Sequence, residues 1–252
     1  MRVWPALALC VGLLTAPIAQ AQDCAAPPYD ADSGTALGAL LSQGLPVIAQ
    51  YPSLQQALQA ERPTICLSDQ TGTAMGYFEP ATNRVMIDAA LNADLQLAIL
   101  VHEMRHVEQF RRGICPHDAL AMHEYARATF AVEADAMTIT LIVAWALREG
   151  GDPGPWTALQ DLPRYVDMTR AFAESMEADG NLFSAGELAF ALWYEDESRR
   201  HDYYIASCGA YLDRLDDTHA LPRYDTLRED FFEQLCILPD GTPFSCRDPD
   251  LP

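Results

Sequence analysis

Lysine is absent from this chain: all 16 basic residues are arginine, set against 36 Asp and Glu for a formal charge of −20. That balance excludes a phosphate-tracking surface, so nucleic acid is not an expected partner. The acidic residues are dispersed rather than blocked, which fits a solvated surface better than an acidic tail. Long apolar runs are also missing. Ala6 to Leu14 and Ile139 to Leu147 are the strongly apolar stretches, and both fall well short of the roughly 20 residues that a spanning helix needs, so no stable membrane insertion is expected. The cysteines lack the close pairing of a zinc–thiolate site. Neither an internal repeat nor a low-complexity segment is present.

What is present begins with an export signal. Arg2 precedes the apolar run, and Ala19-Gln20-Ala21 supplies a small-x-small cleavage site, so residues 1–21 read as a secretory signal peptide cut after Ala21. Lipidation at Cys10 is disfavoured by the bulky Leu9 before it. The expected location is periplasmic or secreted. Residues 22–252 would form one domain, with a core over 64–150 and a helical part over 155–252. Loss of Cys10 with the signal leaves Cys24, Cys66, Cys115, Cys208, Cys236 and Cys246, an even set for which three disulfides are the simplest expectation. Cys236 and Cys246 flank a Pro-Asp-Gly turn and could close a small loop.

The expected class is α+β, predominantly helical. Leu37, Leu40, Leu41 and Leu45 recur at helical spacing after a Pro-containing polar lead, and a second short helix is expected at Leu54 to Ala60. Thr64 to Ser68 reads as a strand, and Met75 to Glu79 with Arg84 to Asp88 as a hairpin around Pro80-Ala81-Thr82-Asn83. A long helix should run from Asn92 or Asp94 to a stop at Gly113, and a second should end at Gly150-Gly151. Further helices are expected over Trp156 to Ala178, over Ser184 to Asp216 with a capping box in Ser184-Ala185-Gly186-Glu187, and near Tyr224 to Leu235.

The chemistry centres on His102-Glu103-Met104-Arg105-His106. Two His four apart lie one helical turn above each other, so both imidazoles can reach one ion while the Glu between them addresses a water on it. Leu95, Leu97, Ala98, Ile99, Leu100 and Val101 lead this segment into the core, where two unpaired imidazoles would be costly and a metal would satisfy them. A catalytic zinc usually takes a third protein ligand, and the next helix offers two acids. Glu133 shares a face with the apolar Ala126, Phe130, Ala136, Met137 and Leu141, and a carboxylate there needs a partner, either the ion or an Arg such as Arg105 or Arg127. Asp135 falls on a stripe with Glu124, Arg127 and Thr138, which makes it a residue behind the ligands or at solvent. A transition-state donor is sought in Arg199, Arg200, His201, Tyr203 and Tyr204, with His201 and Tyr204 the candidates taken forward.

Strand, hairpin, metal-binding helix and a downstream helix with an acidic ligand resemble the gluzincin branch of the zincin metallopeptidases over Thr64 to Gly150. Within that branch the His102 to His106 segment, Val132-Glu133-Ala134-Asp135-Ala136 and Ala144-Trp145-Ala146-Leu147 are similar to a bacterial family of metallopeptidase-like proteins of unknown function. The resemblance implies a zincin-like fold with a small antiparallel sheet packed on the metal-binding helix. It implies Zn2+ on His102, His106 and Glu133, Glu103 as catalytic base, and a peptide or protein substrate. Many such enzymes place the ligand Glu four residues before a supporting Asp, but Ala131 stands four before Asp135, so Asp135 remains an alternative third ligand. An active peptidase and a non-catalytic zincin-fold module of the cell envelope are the competing functions, and the presence of Glu103 favours the first.

Overall fold

Residues 22–247 are described by the structure, a computed structural model, so the signal peptide read over residues 1–21 lies outside the described residues. The chain opens with β1 (Asp23–Ala25), α1 (Ala36–Ala49) and α2 (Pro52–Glu61), followed by β2 (Thr64–Ser68), β3 (Gly76–Glu79) and β4 (Arg84–Asp88). The long α3 (Ala93–Arg111) and α4 (Met122–Glu149) come next. Five further helices follow: α5 (Gly154–Gln160), α6 (Val166–Asp179), α7 (Leu182–Trp193), α8 (Glu197–Asp217) and α9 (Phe231–Leu235).

The class is α+β as expected, but the sheet is mixed rather than antiparallel. Its order is β1-β2-β4-β3, with β2 parallel to β4 and antiparallel pairing at both edges. The hairpin turn forms, but the chain first crosses from β2 to the far edge and then returns as β4 between β2 and β3. This leaves β3 as an edge strand. Three-residue β1 is too short to register as a periodic pattern, and it is fixed instead by pairing Cys24 with Cys66 in register and by their disulfide.

Polar side chains set the helix boundaries. Asn92 accepts from the Leu95 N–H at 2.9 Å to start α3, and Gly113 at φ +70° ends its last turn. The Gln96 amide donates to the carbonyls of Asp88, Ala89 and Leu91, which ties the end of β4 to the start of α3. The two long C-terminal helices expected from the sequence are each split. Pro163, which has no N–H to donate, falls between α5 and α6. Asp196, accepting from the Arg199 N–H at 2.7 Å, restarts the chain as α8. The capping box at Ser184 does not form, because Asn181 accepts from the N–H groups of Phe183 and Ser184 and caps α7 three residues earlier. Only Phe231–Leu235 of the last expected helix is helical, since Asp225 is held in a bridge to Leu120.

A single buried cluster extends from Leu37 to Phe244 and takes in sheet and helices alike. Helix α4 lies at its centre, packed by α3 on one side and by α7 and α8 on others. By length and composition it could cross a membrane, yet 83% of its most apolar window is buried inside this fold, as in a core helix. Two of the three expected disulfides form, Cys24–Cys66 and Cys236–Cys246, while Cys115 and Cys208 carry free thiols.

Candidate metal centre

Helical spacing brings the His102 and His106 rings together, and α4 carries Glu133 across to them. The two Nε2 atoms are 3.2 Å apart, and the Glu133 oxygens lie 3.5 Å from His102 Nε2 and 3.4 Å from His106 Nε2. Among the described residues these three form the one group of His, Cys, Asp and Glu side chains able to converge on an ion. Tetrahedral ligation with bonds of about 2.0–2.2 Å places neighbouring ligand atoms about 3.3–3.6 Å apart. The three contacts of this residue triangle, shared between both Glu133 oxygens, are close to that spacing, and two imidazoles with one carboxylate are a donor set suited to zinc.

Glu103 lies beside this triangle, 3% exposed, and its Oε2 has no hydrogen-bond partner. A buried orphan oxygen at this position fits a group bound between the carboxylate and an ion. Burial pushes the Glu103 carboxyl up from its ordinary range and the Glu133 carboxylate adds to the rise, while the two imidazoles and the Phe78 backbone N–H oppose it. Glu133 behaves oppositely. Burial alone would raise its carboxyl, but His106 and His102 hold it well below the usual range. For His106 burial opposes protonation, yet the adjoining Glu133 carboxylate outweighs it and, with Glu103 and Gln109, raises the imidazole to about 9.

Asp135 is not part of the triangle. Its two oxygens receive Arg105 Nε at 2.7 Å and Arg105 Nη2 at 3.0 Å, and Gln109 Nε2 donates to Oδ2 at 2.7 Å. Both Arg105 and Asp135 are fully buried, so Asp135 faces the interior rather than solvent, although Arg127 on the same stripe is half-buried. The physical reason is that the middle of α4 is buried in the core, and Asp135 there pairs with Arg105 from α3. Arg105 also pairs with Glu108 at 2.7 Å and donates to the carbonyls of Leu235 and Ile237, so the Arg expected as a partner for Glu133 is engaged elsewhere. Arg127 pairs with Glu124, one turn back on α4.

A cavity of about 480 Å³ opens beside His102 and Glu103, with Thr73 to Gly76 along one edge and Met137, Thr140, Leu159, Leu162, Arg164, Tyr165 and Tyr203 among its other walls. His201 and Tyr204 do not line it. Both are exposed on α8, whereas Tyr203, rotated by one residue, points inward. Tyr203 and Tyr165 lie together on the cavity wall. Burial first, and the Glu133 carboxylate second, push both phenols above their ordinary value, so both hold their protons. Arg199 is buried and structural, donating to the carbonyls of Trp193 at 3.1 Å and Arg164 at 2.5 Å and pairing with Asp167.

Sequence reasoning missed Gln109, Thr140 and Tyr165. Gln109 stands three residues after His106, and so on the same helical face, which was a usable signal. Tyr165 had none, because it comes from the irregular segment after α5.

The chain matches the family described as "Putative metallopeptidase family (DUF6782)" over residues 18–246 and therefore belongs to it. No curated protein and no solved structure gives a significant match. A metal-binding role and a hydrolytic one agree with that membership.

Proposed function

We propose that this chain is an exported, zinc-dependent peptidase of zincin-like architecture that hydrolyses peptide bonds with Glu103 as general base. The observation that carries the reading is a His102-His106-Glu133 cluster able to converge on one ion beside a buried Glu103 oxygen that lacks a partner, with His102 and Glu103 on the cavity wall. His102, His106 and Glu133 would hold the ion. Zinc so bound would polarise the scissile carbonyl and lower the pKa of a water.

Every other part falls to the chain's own side chains. Glu103 Oε2 accepts a proton from the attacking water and hands it to the departing amine, and its raised carboxyl suits both halves of that transfer. The Tyr203–Tyr165 pair, protonated and facing the cavity, donates a hydrogen bond to the developing oxyanion. Edge strand β3 and the residues leading into it offer backbone groups along which an extended peptide can pair. Leu159, Leu162 and Met137 suit an apolar side chain. Two disulfides are compatible with an extracellular or periplasmic location, which supports export.

The test combines metal analysis with cleavage of a broad peptide library. The purified chain should hold one zinc, His106→Ala and Glu133→Ala should lose it, and Glu103→Gln should keep it while cleavage disappears. A zinc-loaded chain that cleaves nothing in the library, or a Glu103→Gln variant as active as the parent, would overturn the peptidase reading.

A further inference from the structure

Behind His106, on the side away from Glu133, stands a buried side-chain amide whose orientation is dictated by its surroundings. One end of Gln109 lies 2.9 Å from the Val132 carbonyl oxygen and 2.7 Å from Asp135 Oδ2. A main-chain carbonyl can only accept, and Asp135 Oδ2 already acts as an acceptor for Arg105 Nε at 2.7 Å. That end of Gln109 must be the NH2 group, so the other end, 2.8 Å from His106 Nδ1, is the carbonyl oxygen. An amide oxygen requires a proton on Nδ1. The neutral His106 ring is thereby fixed in the tautomer whose Nε2 lone pair faces Glu133 and His102.

We infer that Gln109 is a positioning residue for the metal: held by Asp135 and the Val132 carbonyl, it selects the His106 tautomer that can ligate and fixes the ring plane. The inference rests on the zinc reading above and extends it, since it assigns a role to a residue outside the ligand set. It also gives the buried Arg105–Asp135 pair a second task. Arg105 holds Asp135 in place, Asp135 orients Gln109, and Gln109 orients His106. Gln109 is fully buried and reaches neither the cavity nor the ligand atoms, so its action passes entirely through His106.

Two variants separate positioning from plain packing. Gln109→Leu keeps the volume but removes the acceptor, whereas Gln109→Glu, protonated beside Asp135, keeps a carbonyl oxygen toward His106 and an O–H toward Asp135. Zinc affinity would be measured by competition with a chelator, alongside the melting temperature of each metal-free protein. The His106 tautomer would be read from long-range proton–nitrogen correlation spectra. The expected result is zinc affinity lowered about 10–100-fold in Gln109→Leu, the cost typical of removing a partner behind a metal-ligating His. Gln109→Glu should bind zinc within about threefold of the parent even where its melting temperature falls as far as that of Gln109→Leu. In the spectra, His106 of the parent at a pH above its titration should carry its proton on Nδ1, and that preference should be lost in Gln109→Leu. Equal zinc affinity in parent and Gln109→Leu, or losses in both variants that merely track melting temperature, would overturn the inference and leave the zinc reading standing. A parent chain that takes up no zinc at all would overturn both.

Discussion

Replacing Asp135 by Ala separates the two roles that the sequence left open for this residue. In the fold Asp135 neutralises Arg105, a guanidinium with no solvent exposure, through contacts of 2.7 and 3.0 Å. Removing the acid leaves that cation with Glu108 and two main-chain carbonyls, and it leaves the Gln109 amide short of one acceptor. Breaking a buried pair by deleting one partner costs about 3–5 kcal/mol, because the remaining charge stays desolvated. For a fold of this size each kcal/mol lowers the melting temperature by about 2–4 °C, so a fall of about 6–20 °C is expected. The assay is thermal and urea unfolding of metal-free protein in excess chelator, which removes any contribution from the ion. A double variant, Arg105→Met with Asp135→Leu, should recover most of the loss, since no unpaired charge remains. If Asp135→Ala shifts metal-free stability by less than about 1 kcal/mol while abolishing zinc uptake, Asp135 is a ligand and the reasoning fails.

Three further outcomes follow from the site's electrostatics and packing. The His106 imidazole is raised from its ordinary 6.5 to about 9 in the metal-free fold, so its contribution is fully present below 6.5 and lost as pH rises through 9. At 1.36 kcal/mol per pH unit that window is worth about 3 kcal/mol, measurable by urea unfolding across pH 6 to 10, and His106→Gln should flatten the profile. Gly76→Ala would place a Cβ 2.5 Å from Ile99 Cγ2, 2.9 Å from the Met86 carbonyl oxygen and 3.2 Å from Glu103 Oε1. It should cost about 1–3 kcal/mol in thermal unfolding and push β3 off α3, impairing cleavage more than stability alone explains. Tyr203→Phe should leave zinc content unchanged and lower kcat about 100-fold or more in peptide cleavage, and an unchanged kcat would exclude that hydroxyl as the oxyanion donor.

Legibility from the sequence follows the range of the forces involved. Strands β2 and β4 and helix α3 begin and end where local signals place them, because β-branched runs, an Asn cap and a terminal Gly act within a few residues. The two histidines are equally local, since their meeting requires nothing beyond a helical turn. Glu133 was reached by a less local argument, that an acid among Phe130, Met137 and Leu141 must answer to something across the core. Strand order was not legible, because whether β2 and β4 run parallel depends on where the residue 69–75 crossover passes, and no pattern of period two encodes that. Neither was the choice of Tyr203 over Tyr204. One residue of rotation on α8 decides which ring faces the cavity, and both faces of that helix carry polar and aromatic groups.

The same rotation argument explains how α4 presents two acids, only two residues apart, to different partners. Positions i and i+2 on a helix diverge by about 200°, so Glu133 and Asp135 address opposite sides of the helix axis. Glu133 turns toward two imidazoles, whose ring nitrogens can share an ion with it. Asp135 turns toward Arg105, a permanent cation that no pH change within the working range will release. Each carboxylate thus meets the kind of partner that suits its place, and exchanging them would fail on both sides. An Asp at 133 would stop one methylene short of the imidazole pair. A Glu at 135 would press against Gln109 and disturb the amide that holds His106. The pairing of a shorter acid with the buried guanidinium and a longer one with the metal triangle is therefore a matter of reach, and it needs no ligand four residues before Asp135: Ala131 can remain small and fully buried in the core.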